Sequence, residues 1–280
     1  MKIAFYTTFA LVCFALNSLL CRLALGAETI DAASFTTIRL ISGTATLAVI
    51  YYFFDKKREN IIIGNWLSAF FLFAYAICFS FAYINLTTAT GALILFGCVQ
   101  ATMIISALVK GERPKILEWL GLLLALGGLI YLVFPGLASP PFFSSALMAL
   151  AGIAWGFYTL RGRGSANPLA ETTGNFVRTV PMIILASLPF LSKIHLSQKG
   201  IIFAVLSGAI ASGIGYSVWY FVLKFHTATR AAILQLSVPA LAGLGGVIFL
   251  SEIISLRLLS ATILILGGIS LAIFGKRKKN

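Results

Sequence analysis

The chain has 280 residues, of which 60% are hydrophobic and only 10% charged, too little polar surface to cover a soluble globule. Its formal charge of +13 does not imply a nucleic-acid partner, because the basic residues gather in short segments between apolar runs and in the C-terminal Lys276-Arg277-Lys278-Lys279. Cys13, Cys21, Cys78 and Cys98 lie inside apolar runs without paired-ligand spacing, and His195 and His226 stand at run ends, so no disulfide, metal site or cofactor is expected.

The apolar runs are about 18 to 22 residues long, enough to cross roughly 30 Å of hydrocarbon. The first, about residues 3–24, imitates a secretory signal, with Lys2 before it and small residues at Ala24 to Ala27, but it matches an internal segment and is expected to stay as a span. Further spans are expected at about 32–54, 64–83, 89–109 and 116–134. Pro135-Gly136 and Ser139-Pro140-Pro141 then break the chain and place a boundary between residues 1–138 and 139–280. The second part repeats the plan at about 143–160, 170–190, 200–223, 227–250 and 256–275.

The two parts are in register. Thr88-Ala89-Thr90 recurs as Thr227-Ala228-Thr229, Arg22 as Arg161 and Arg39 as Arg178, all at an offset of 139, while Glu112 meets Glu252 and Gly127-Gly128 meets Gly267-Gly268 at 140. Five spans per part is an odd number, so the repeats enter the membrane from opposite sides. Fifteen Lys and Arg fall on the side of the N-terminus and four on the other, with Arg39 and Arg178 inside spans, which predicts both termini in the cytoplasm of a cell whose inner membrane holds the protein.

Enzymatic constellations are missing: there is no phosphate-cradling loop, no HExxH, and no Asp or Glu in the middle of a span. Arg39 and Arg178, each about 12 Å into a span, either border a pathway and attract an anionic group such as a carboxylate, or snorkel and tie the bundle together. Asn17, Gln100 and Gln235 sit near mid-membrane, where an unpaired amide is costly, and are expected to face a cavity or one another. Trp155 and Tyr158 join them, and Tyr216, Trp219 and Tyr220 share one helix face at i, i+3 and i+4, as a cavity wall or as ordinary packing. Glu112 and Glu252 either cap the spans that follow them or act as a pair of gate latches, and Pro239 permits bending.

The Thr-Ala entries, the apolar helix carrying Pro239 and the terminal glutamates resemble the end of each half of the drug/metabolite transporter superfamily, the ten-helix EamA-type permeases, and the likeness extends over nearly the whole chain. It departs from the family pattern at Gln100, which stands where Pro239 has its counterpart. The resemblance implies an all-α membrane protein with ten helices in two inverted five-helix repeats, a central cavity walled by spans one, three, four, six, eight and nine, and alternating access; Gly127-Gly128 and Gly267-Gly268 are expected to bring spans five and ten together, helices that in this family can also mediate self-association. The expected substrate is a small organic metabolite, such as an amino acid, another zwitterion or a drug-like compound, moved outward. The competing reading is a lipid-handling protein or a non-transporting scaffold. The lack of a buried carboxylate in the spans weakens a proton relay and leaves exchange or uniport.

Overall fold

The computed structural model describes residues 2–54, 63–109, 116–134, 136, 139–162, 165–223, 225–226 and 234–275. Among them ten helices follow one another: α1 (Lys2–Leu25), α2 (Ala32–Phe54), α3 (Trp66–Ala82), α4 (Thr88–Val109), α5 (Ile116–Val133), α6 (Phe142–Gly162), α7 (Pro168–Ser187), α8 (Gln198–Leu223), α9 (Ser237–Leu250) and α10 (Leu256–Gly275). Six of them, α1, α2, α4, α6, α7 and α8, are long and apolar enough to cross a membrane, and the other four are shorter apolar helices. The expected beginning of the ninth span at Thr227 lies outside the described residues, as do Glu112 and the C-terminal basic run.

Polar residues start these helices where the chain needs them. Asp31, Asn65, Asn167, Ser197 and Ser255 each accept a backbone N–H three residues on, satisfying donors that a helix start leaves open. Pro168 follows its cap as the first residue of α7, where a missing N–H costs nothing. Pro239 behaves similarly. It stands in the first turn of α9, just after a turn at Leu236 that follows helical residues 234–235, and has no N–H to donate to the carbonyl of Gln235.

Contacts between ends show that successive helices alternate in direction. At the end away from the termini, Arg22 in the last turn of α1 reaches Tyr83 and Ile84 after α3, Asn85 reaches Ser144 at the start of α6, Ile30 bridges to Leu196 before α8, and Arg257 in α10 reaches the carbonyls of Tyr131 and Phe134 at the end of α5. At the termini end, Thr7 in α1 meets His226 after α8, and Arg161 closing α6 meets Asn65 and Ser68 opening α3. The packing has the exchange symmetry of inverted halves: α2 packs on α7, α4 on α9 and α5 on α10, while α1 on α8 mirrors α6 on α3.

The α5–α10 pair stands at the edge of the bundle and touches the rest through α4. Its close approach uses one glycine of each expected pair, Gly128 and Gly268, together with Gly121; a methyl group on Gly268 would meet the Gly121 carbonyl at 2.6 Å. Gly127 and Gly267 face open space.

Polarity runs outward from the bundle as in a membrane protein. Asn17, Arg39, Thr36, Thr173 and Thr179 are buried, whereas Phe54 is 77% and Ile253 89% exposed. Some buried hydroxyls are satisfied within their own helices, Thr36 on the Ala32 carbonyl and Thr102 on that of Cys98.

Candidate functional site

Helix α8 is the element that departs most from regular geometry, and the centre of the molecule is built on it. Over Ser207–Ile214, sequence SGAIASGI, it widens into π turns, and its small residues let α2 and α1 come close. A methyl group at Gly208 would run into Ser42 Oγ and the Arg39 carbonyl. Two π-segment hydroxyls, Ser207 and Ser212, donate to one acceptor, Asn17 Oδ1 of α1, at 2.7 and 3.3 Å. The widening therefore presents two serines to a single buried amide.

Beside Asn17 lies a small recess, bounded by Asn17, Ser18, Tyr75, Phe79, Trp155 and Tyr216 among others. Trp155 is the hub of its aromatic wall, with ring centroids 4.8 Å from Tyr75, 5.1 Å from Tyr216 and 5.4 Å from Tyr158. A second recess shares Phe14, Trp155 and Tyr216 and continues past Thr159, Trp219 and Gln235 to Gly162 and Tyr220. A third shares Gly162 and Tyr220 and ends among Glu171, Thr172 and Asn175 in the first turns of α7. The three form a string from the middle of the bundle to the termini end.

The opposite end is tied. Ser251 takes a left-handed conformation after α9, with φ 52°, and the Glu252 N–H returns to the Gly246 carbonyl at 3.1 Å, which turns the Glu252 side chain back toward the bundle. Both carboxylate oxygens then accept the Thr88 N–H at 2.9 Å, and Oε1 also takes the Thr88 hydroxyl at 3.2 Å. A carboxylate is well placed at the positive end of α4. Arg22 Nε stands 3.7 Å from Glu252 Oε1 while its Nη1 donates to the carbonyls of Tyr83 and Ile84, so one ion pair joins α1, α3, α4 and α9. Glu252 does not cap the helix after it; Ser255 does that for α10.

Arg39 is 2% exposed and lies behind the central recess. Its Nη2 donates to the Tyr75 hydroxyl at 3.0 Å, and its guanidinium sits 4.9 Å from the Phe79 ring centroid. Its repeat partner Arg178 lies elsewhere, bonded to the Gly174 carbonyl and 5.9 Å from the Trp66 ring near the termini end. Gln235 lines the second recess; Gln100 is buried one turn beyond Phe96 in α4 and is absent from the lining of all three. Tyr216, Trp219 and Tyr220 line the second recess together, Trp155 joins the first two recesses, and Tyr158 lines the third. Sequence reasoning missed Tyr75, Phe79 and Ser18, and Arg22 as a partner of Glu252. The spacing of Tyr75 and Phe79 at i, i+4 was a signal for the first two.

The model of the EamA-like transporter family matches residues 1–134 and 143–274. An uncharacterized protein of Pseudomonas aeruginosa is 48% identical over 265 residues, covering 95% of this chain and 92% of its own length. An uncharacterized transporter of Archaeoglobus fulgidus is 28% identical over 61% of this chain and 62% of its own. A crystal structure superposes with a TM-score of 0.66 over 97% of this chain and 99% of that one, and its 18% identity speaks to the fold alone.

Proposed function

We propose that this chain, which belongs to the EamA-like transporter family, is an inner-membrane permease that moves a small organic metabolite outward by alternating access. One observation carries the reading: recesses run from Asn17 to Glu171 at the termini end, while Glu252, Thr88 and Arg22 tie the other end shut. A passage that opens at one end and is latched at the other is one half of a transport cycle. The excess of Lys and Arg on the termini side supports placing that side in the cytoplasm, so the state is inward-facing and ready to load. The halves, residues 1–138 and 139–280, divide within the gap between the matched segments 1–134 and 143–274.

The wall supports a metabolite that is partly apolar. Trp155, Tyr216 and Phe14 offer ring faces, and Asn17, Ser18 and Tyr75 add a few polar groups, the composition of a small-molecule site. By repeat symmetry Glu112 serves the latch of the outward-facing state, with Arg161 as the counterpart of Arg22.

Proteoliposomes loaded with a mixture of small metabolites test the reading. They are expected to lose one chemical class saturably, and those holding the Trp155→Ala protein to retain it. Equal leakage from both, or transfer of labelled lipid alone, contradicts a metabolite permease.

A further inference from the structure

The arginines at helix ends spend their donors on acceptors. Arg22 serves two carbonyls and Glu252, Arg161 serves Ser68 and Asn65, and Arg257 serves the carbonyls of Tyr131 and Phe134. Arg39 differs. Its Nη1 is buried without a hydrogen-bond partner, and it is the only arginine with such an atom among the described residues.

Nor does Arg39 have a counter-ion there: the one ion pair among the described residues is Arg22–Glu252, and Asp31 is used at the start of α2. A guanidinium cannot shed its proton, so burial does not neutralise it, and the faces of Phe79 and Tyr75 offset only part of its lost hydration. Those same two rings line the central recess, so the charge stands directly behind its wall. Tyr75 accepts the Nη2 hydrogen bond on its oxygen and keeps its own hydrogen to donate, and Tyr216 lines the same recess.

We propose that Arg39 is the anion seat of the pathway and that the cargo is an organic monocarboxylate, free or as part of a zwitterion. Its carboxylate is received at the Tyr75 hydroxyl on the recess wall, with the Arg39 guanidinium behind that hydroxyl as its counter-charge, and its apolar body lies on Trp155 and Tyr216. This rests on the permease reading and narrows it. A single cation in an aromatic wall suits one negative charge on an apolar body; a phosphate dianion would leave charge unmatched, and a sugar would find too few polar partners. Arg178, held near Trp66, adds no second positive charge here.

The test uses the purified full-length chain and its thermal stability with benzoate, phenylacetate and 4-methylpentanoate, each against its own primary amide. The carboxylates are expected to raise the midpoint saturably and the amides not. Arg39→Met and Tyr75→Phe are each expected to weaken the apparent carboxylate affinity at least tenfold, with unliganded Arg39→Met at least as stable as the parent because an uncompensated charge is gone. Should Arg39→Met not fold, parental carboxylate affinity in Tyr75→Phe overturns the proposal. Amide shifts equal to the carboxylate shifts, carboxylate shifts that survive Arg39→Met, or no carboxylate shift at all also overturn it. Each of these leaves the permease reading standing, since that falls only in the efflux experiment.

Discussion

Glu252 caps a helix that begins 164 residues before it, with both carboxylate oxygens 2.9 Å from the Thr88 N–H. The cap joins the two halves of the chain, and the same carboxylate is the counter-charge of Arg22. It cannot persist when the helix ends separate. Hydrogen bonds to charged groups contribute about 1.5 to 3 kcal/mol, so Glu252→Gln, which keeps an acceptor and loses the charge, should weaken the latch by about 1 to 2 kcal/mol. In a background without the native cysteines, labelling of Ser18→Cys from the side opposite the termini should rise roughly tenfold, since about 1.4 kcal/mol is a factor of ten. Unchanged labelling would remove Glu252 from the latch.

The two serines on Asn17 should be unequal. Ser207→Ala removes the 2.7 Å bond and should lower stability by about 1 kcal/mol, while Ser212→Ala removes the 3.3 Å bond and should cost less. Asn17→Leu leaves both hydroxyls without their acceptor and should cost more than either serine change. Thermal denaturation in detergent gives the order, and a larger effect for Ser212→Ala would contradict it.

Two glycine substitutions should part company. Gly208→Ala drives a methyl group into Ser42 and the Arg39 carbonyl and should cost about 1 to 3 kcal/mol or more, as overpacking does. Gly127→Ala meets nothing within 4 Å and should be neutral or stabilising by up to about 1 kcal/mol through helix propensity. Yields of folded protein and melting midpoints check both.

Gln235→Leu should slow efflux several-fold with little change in midpoint, because Gln235 is half-buried on the second recess. Gln100→Leu should instead lower stability, by about 1 to 3 kcal/mol, because its amide is buried in the packing of α4. The reverse pattern would exchange their roles.

The helices were legible because an apolar run of membrane length between charged turns has one reading; α2 and α10 begin and end where composition places them. The depth of Arg39 was legible too. That Arg39 goes inward while Arg178 leans to Trp66 was not, since both stand about as far into their spans and only neighbours decide where a long side chain points. The π segment left a trace in its Gly and Ser content, but its purpose needs Asn17, 190 residues away from Ser207. Glu252 was legible as a cap or a latch, and its partners Thr88 and Arg22 were not, because such contacts are fixed by how the halves meet and leave no periodicity.

The claim that the passage opens at the termini end and is shut at the other is tested most directly by labelling Thr159→Cys, on the second recess, with a membrane-impermeant thiol reagent in vesicles of both orientations. The account predicts rapid labelling in inside-out vesicles, slow labelling in right-side-out ones, and a reversal of that preference when the far-end latch is broken by Glu252→Gln together with Arg22→Met. Labelling that is faster from the outside in the parent, or equal from both sides, would contradict it.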